Sequence, residues 1–205
     1  MTITDKLIKV NEYNRPGTAQ TPAKICVHYT GDPGATAAQL AAFYGNVAAG
    51  VFKDKPNSWT SAQYVIGMQG EILRIIPDDE IAYAASGKNN GVIHIEVCHA
   101  DSTGNFSEES IVALEELVRS LMSKYNISTE NVVRHYDLTG KRCPAYYVDS
   151  TRWAALHERI TTSQTTDGKL YRVQVGAFKN KTNAESYMQS VKKAGFNAFI
   201  VEVNT

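Results

Sequence analysis

The sequence is short of the features that mark several protein classes. Cysteine is scarce, with only Cys26, Cys98 and Cys143 in 205 residues. An odd, sparse set is not a disulfide framework; it reads as reduced thiols, two packed as small hydrophobes and one available for chemistry. Net charge is absent, with 21 basic and 21 acidic side chains. That argues against a nucleic-acid partner, because phosphate binding needs a basic field. Long apolar runs are absent as well. The most apolar stretch, Gln39 to Phe52, is broken by Gly45 and Asn46 and falls short of the roughly 20 residues a spanning helix needs, so no membrane insertion is expected. The opening residues Met1-Thr-Ile-Thr-Asp-Lys6 hold no apolar signal core, which predicts synthesis in the cytoplasm without a Sec-type signal. What remains is an ordinary globular composition, 43% hydrophobic and 20% charged, which excludes a disordered or collagen-like chain. At roughly 100–200 residues per domain, the length has room for one full domain and a small second one.

The chain divides by composition. Residues 161–168, Thr-Thr-Ser-Gln-Thr-Thr-Asp-Gly, have no hydrophobic period and read as a linker. They separate a main domain, 1–160, from a tail, 169–205. Residues 164–205 carry six basic side chains against three acidic, net +3, which leaves the remainder at net −3. Opposite signs point to separate units with separate partners. In the main domain, strands are expected at Lys24–Tyr29, Ala62–Gly67, Glu71–Ile76, Val92–Cys98 and Asn131–Arg134, with Gln69-Gly70 turning a hairpin between the second and third. Helices are expected at Thr36–Ala49, Ser107–Tyr125 and Thr151–Ile160. The second is the clearest, with Ser107 as N-cap, Glu108 and Glu109 in its first turn, and one apolar face. This predicts an α/β fold, a mixed central sheet flanked by helices. The tail reads as a small βαβ module: a strand at Tyr171–Phe178, a helix opened by a Thr182-Asn-Ala-Glu185 capping box and stopped by Gly195, and a strand at Asn197–Val203.

Three residues invite a metal reading. His28 and His135 each end an expected strand, and Cys143 follows His135 by eight residues. Strand ends and a nearby loop often converge on an active site. Two imidazoles and a thiolate suit tetrahedral Zn²⁺ with one position left over; the bland alternative is a satisfied polar residue at each strand end. Glu96 stands inside the apolar strand Val92–Cys98, where a carboxylate is costly without a partner or a role. It reads either as a general base or as one of a polar set, with His94, on the open side of the sheet. Lys141 reads either as an oxyanion donor or as a solvated loop cation. Trp59, Trp153, Tyr125 and Met122 read as core or groove wall, and His99 and His157 as surface.

Five segments, Val27-His28-Tyr-Thr-Gly-Asp-Pro-Gly34, Ser61-Ala-Gln-Tyr64, Ile75-Ile-Pro-Asp-Asp-Glu80, Ile95-Glu96-Val-Cys98 and Arg134-His135-Tyr-Asp-Leu-Thr-Gly-Lys141-Arg-Cys143-Pro144, resemble the type-2 zinc N-acetylmuramoyl-L-alanine amidases, a family related in fold to peptidoglycan recognition proteins. Asn14-Arg-Pro-Gly17 is similar to the opening of phage and bacillary members. The likeness runs over about residues 5–157. It implies a peptidoglycan hydrolase in which His28, His135 and Cys143 bind Zn²⁺, Glu96 and Lys141 are catalytic, and Tyr64, Pro77, Tyr83 and residues 85–90 line the substrate groove. The chain departs from the pattern at Gln63, where many relatives carry His, and at His94, where many carry a small residue; His94 reads as a modulator of the base or a substrate contact, not a ligand.

The tail, with Tyr171-Arg-Val-Gln-Val-Gly-Ala-Phe178, Asn183-Ala-Glu185 and Ala194-Gly-Phe196, resembles a sporulation-related repeat, a SPOR domain, which implies binding to peptidoglycan glycan strands. Such domains contain two βαβ halves and this chain has one, so two tails are expected to associate in a homodimer. Without a signal, the resemblance to endolysins implies release to the wall through a holin-like partner or by lysis. Two rival readings remain at this stage: a non-catalytic peptidoglycan-recognition protein, and a Cys-His peptidase with Cys143 as nucleophile and His135 as base.

Overall fold

The computed structural model describes residues 1–162, 174–196 and 198–202. The chain forms two compact units, residues 1–163 and 164–205.

The first unit is built on a six-stranded sheet. Its strands are β1 (Ile3–Asp5), β2 (Lys24–Tyr29), β3 (Tyr64–Ile66), β4 (Ile72–Arg74), β5 (Val92–Val97) and β6 (Val132–Arg134). They lie in the order β1-β4-β3-β5-β2-β6. Only the β3–β4 hairpin is antiparallel. Gly70 turns that hairpin at φ 82°, a conformation glycine adopts without steric cost. The helices are α1 (Ala37–Ala48), α2 (Glu108–Tyr125), the five-residue α3 (His135–Thr139) and α4 (Ser150–Thr161).

Local chemistry explains the helix bounds. Thr36 caps α1 in a reciprocal pair with Gln39. Ser107 caps α2, whose first turn holds Glu108 and Glu109 and whose last turn holds Lys124, each matched to the helix dipole. Asn126 ends it in the left-handed region at φ 53°.

Alternation along the strands decides what each face of the sheet does. Ile25 and Val27 of β2, Ile93, Ile95 and Val97 of β5, and Tyr64 and Ile66 of β3 pack in one cluster with Leu114, Leu117, Val118 and Leu121 of α2 and Leu156 and Ile160 of α4. On the other face, Val65 and Leu73 pack with Tyr44 of α1. Helix α1 sits against β3 and β4. The intervening residues of β2 and β5 on this face are Cys26, His28, His94 and Glu96. Their side chains form the polar site.

Five expectations need correcting. Strand β1 lies in a segment for which no element is expected; it is three residues long and pairs with β4. His135 does not end a strand but opens α3, because Asp137 turns the chain by accepting a hydrogen bond from the Arg134 backbone N–H at 2.8 Å. His99 is buried, not at the surface, with its ring stacked on Tyr29 at 5.0 Å. In the second unit, helix α5 (Lys181–Lys193) is present but begins earlier than expected. Asn180 accepts from the Thr182 and Asn183 N–H groups in place of a Thr182 capping box. Residues 174–178 and 198–202 form no strand. Their apolar side chains stand exposed, Val175 at 63% and Phe199 at 75%, as expected of extended segments with no ladder partner among the described residues. Tyr171–Val173, Asn197 and Val203, which the expected strands also include, fall outside the described residues. No helix among the described residues is long and apolar enough to cross a membrane.

Candidate metal centre and active-site cleft

Strand β2 lies between β5 and β6 in the sheet, and this topology assembles the site. His28 comes from β2. Register pairs it with Glu96 of β5. His135 follows β6, on the opposite flank. Cys143 returns from the loop after α3, where Gly140 ends the helix at φ 77° and the Tyr136 N–H donates to the Cys143 carbonyl at 2.9 Å. The Arg134 guanidinium fixes this turn, donating to Asp137 and to the carbonyls of Tyr147 and Val148 at 2.8 and 3.0 Å.

His28, His135 and Cys143 offer ligand atoms that all lie within 4.8 Å of one another, and all three residues are buried. The His28 Nδ1 is 3.8 Å from the Cys143 sulfur and 3.9 Å from a Glu96 carboxylate oxygen. The His28 and His135 ring centroids are 4.5 Å apart. Zinc bonds of about 2.0 Å to nitrogen and 2.3 Å to sulfur at a tetrahedral angle separate the two ligand atoms by about 3.5 Å. Three further polar atoms of the site, His135 Nδ1, Glu96 Oε2 and His94 Nε2, are buried without a hydrogen-bond partner among the described residues. Buried polar atoms are rarely left so. The donor set and its spacing fit a zinc ion.

Electrostatics agree with a site that takes on a cation. Burial pushes the Cys143 thiol up to about 12, with Glu96 adding to the shift. Burial holds His28 well below the usual imidazole range and brings His135, beside Lys141, down to about 4. Glu96 rises to about 8 through burial, partly opposed by Lys141. Without a cation, the site therefore favours neutral side chains.

The trio opens on a cleft of about 290 Å³. Glu96 and Lys141 line it together with Tyr29, Leu40, Phe43, Tyr44, Thr60 and Ala84. Tyr29 adjoins His28 in sequence. Leu40, Phe43 and Tyr44 share a face of α1 by their three- and four-residue spacing, the signal that could have found them. Glu96 is 14% exposed at its side chain, neither solvated nor sealed.

The structure does not bring the expected groove residues to this cleft as a set. Tyr64 is 2% exposed and lies in the core cluster on the α2 face, its hydroxyl bonded at 2.5 Å to Asp78. It shares its parity with Ile66, so it points away from His28. Asp78 also accepts from Lys124 at 2.9 Å and Tyr125 at 2.8 Å. Pro77 sits in a turn closed by the Glu80 N–H. Tyr83 comes nearer: its backbone pairs with Ser61 and Thr60, beside the lining residues Thr60 and Ala84. In residues 85–90, Asn89 accepts from the Ala84 and Ala85 N–H groups and shapes the rim. His94 lies beneath the site, fully buried, and does not line the cleft. Gln63 is buried as well.

Fold and cleft together define an α/β domain with a site of two imidazoles, a thiol and a carboxylate. Comparison with known proteins makes this specific: the chain belongs to the N-acetylmuramoyl-L-alanine amidase family, whose model matches residues 18–146. A SPOR domain model matches residues 150–202. Among curated relatives, the amidase CwlL of Bacillus licheniformis is 29% identical over 95% of this chain and 60% of its own length. The amidase CwlH of Bacillus subtilis is 33% identical over 80% of this chain and 63% of its own. The chain thus spans less than two thirds of the length of these relatives. Among solved structures, the catalytic domain of XlyA is 31% identical with a TM-score of 0.62, covering 78% of this chain and 99% of that one. PlyL is 26% identical with a TM-score of 0.66, covering 79% of this chain and 98% of that one.

Proposed function

We propose that the chain is a zinc-dependent peptidoglycan hydrolase that cleaves the amide joining the muramic acid lactyl group to L-alanine. The observation that carries this is the convergence of His28, His135, Cys143 and Glu96 on one cleft in a chain of the amidase family. His28 through Nδ1, Cys143 through Sγ and His135 would hold the ion. Bound zinc would supply Lewis acidity, making a carbonyl more electrophilic and water more acidic.

The chain's own residues do the rest. The Leu40, Phe43 and Tyr44 wall limits water around the scissile amide. Glu96 takes the proton of the attacking water and delivers it to the departing alanine nitrogen. Burial favours the protonated form that the second duty needs, and a cation bound beside it would favour the carboxylate that the first needs. Lys141, which lines the cleft, would donate to the oxygen that gains charge.

The peptidase alternative fares worse on this geometry. A nucleophilic cysteine needs an accessible thiol paired with its base, whereas Cys143 is buried and the side-chain hydrogen-bond contact of its sulfur is with His28 Nδ1, not with the supposed base His135. The recognition-protein alternative leaves Glu96, Lys141 and Cys143 without a task.

For the C-terminal unit we infer binding to glycan strands, with two units associating in a homodimer, from the SPOR match and the exposed apolar side chains. The place of action is the cell wall, reached through a holin-like partner or lysis. Mass spectrometry of purified peptidoglycan digested by the full chain, with and without chelator, tests the activity. New L-alanine amino termini that vanish with chelator and return with zinc are expected. Their absence with zinc-loaded protein would refute the reading. Sedimentation tests the dimer.

A further inference from the structure

A second buried trio, Cys26, His28 and His94, places its ligand atoms within 4.8 Å of one another beneath the first. We propose that this trio holds no ion, and that His94 is the positioning residue of the metal centre, fixing the tautomer and orientation of His28, with Gln63 fixing His94. The inference rests on the metal reading above.

The sheet register makes the arrangement. Across β2 and β5, Cys26 stands opposite His94 and His28 opposite Glu96, so His94 lies one layer deeper than the catalytic carboxylate. His28 Nε2 and His94 Nδ1 are 2.9 Å apart. Two nitrogens on one tetrahedral zinc ion would stand about 3.3 Å apart; 2.9 Å is the separation of a shared proton. The other His28 nitrogen, Nδ1, faces Cys143 and Glu96. An imidazole that gives Nδ1 to a metal carries its proton on Nε2, and that proton needs an acceptor. Both rings are buried beyond the reach of bulk water, and His94 Nδ1 is the acceptor within reach.

His94 is in turn immobilised from its backbone. The Gln63 N–H donates to the His94 carbonyl at 3.1 Å, and the Gln63 side-chain oxygen accepts from the His94 N–H at 2.8 Å. The Gln63 amide nitrogen anchors on the Glu80 carbonyl at 2.8 Å. Gln63 and His94 are thus bonded to each other and form one support for His28.

The test uses the full chain and zinc. In zinc-loaded protein labelled at histidine nitrogens, long-range ¹⁵N–¹H correlation spectra should show His28 protonated at Nε2 and metal-bound at Nδ1. In His94→Phe, which fills the space without accepting, zinc affinity measured by chelator competition should fall about 10–100-fold at unchanged 1:1 stoichiometry. The Co²⁺ absorption bands should shift. His94→Asn, which can still accept, should recover part of the loss. Wild-type affinity in His94→Phe, an unprotonated His28 Nε2 in the wild-type spectrum, or two zinc ions per chain falling to one in the variant would each overturn the proposal. The wild-type spectrum decides even if both variants fail to fold. A wild-type chain that binds no zinc sinks the metal reading itself, a different failure from zinc binding that ignores His94.

Discussion

The two faces of strands β2 and β5 differ by one residue of register and by everything in their chemistry. Ile25, Val27, Ile93, Ile95 and Val97 turn to α2 and α4 and form hydrocarbon core. Cys26, His28, His94 and Glu96 turn the other way and form the polar site and its support. Neighbouring residues on one strand therefore serve stability and chemistry separately. The rigidity of the first face holds the second to tolerances that loops alone would not keep.

That separation can be broken from either side. Cys143→Ser should abolish zinc binding and lower hydrolysis at least about 1,000-fold, with the far-ultraviolet circular dichroism of the metal-free form unchanged. Glu96→Gln should keep stoichiometric zinc by metal analysis while turnover on purified walls falls about 100–10,000-fold. Ile95→Ala, one residue away on the opposite face, should do the converse: a loss of about 2–5 kcal/mol in urea unfolding with turnover of the folded fraction near wild type. If Ile95→Ala and Glu96→Gln gave the same phenotype, the division of labour would be wrong.

The smallest expected effect concerns Asp78, on the side of the sheet away from the metal centre. Burial raises its carboxyl, but hydrogen bonds from Tyr64, Lys124 and Tyr125 outweigh this and hold it below the usual value of 3.8. The folded chain thus binds this proton less readily than the unfolded chain. The stability it contributes is complete above that unfolded value and is lost as pH falls through the lower folded one. Asp78→Asn should cost about 1–3 kcal/mol at pH 7. Urea midpoints should show the gap to wild type closing toward pH 3, while zinc affinity at pH 7 stays unchanged.

Much of this was legible in the residues. The run Lys24–Tyr29 was read with its observed bounds because a continuous apolar strand between turn signals is a strong pattern. Helix α2 declared both ends through Ser107 and its dipole-matched charges. The family resemblance brings His28, His135 and Cys143 together as the structure does, although His135 opens α3 instead of ending a strand. What escaped depended on orientation or partners. Tyr64 was assigned to the groove, yet its place beside Ile66 in the alternation sends it into the opposite core. Gln63 and His94 stood as two unrelated departures because a hydrogen bond across strands leaves no trace in spacing. Strand β1 is only three residues long, and its pairing lies 69 positions away at Ile72. The described parts of the tail's expected strands, residues 174–178 and 198–202, form no ladder, because alternation signals a strand only where a neighbour completes the pairing.

Helix α4 carries a practical consequence for recombining these units. The two family models meet between residues 146 and 150, an inviting place to join a foreign wall-targeting module. Yet Leu156 and Ile160 complete the hydrocarbon layer under α2, and Trp153 lies 5.3 Å from the Arg134 guanidinium that braces the turn to His135. A chimaera spliced at residue 148 would open a hole beside the turn to His135. One spliced after Thr162 would keep that brace and exchange only the second unit.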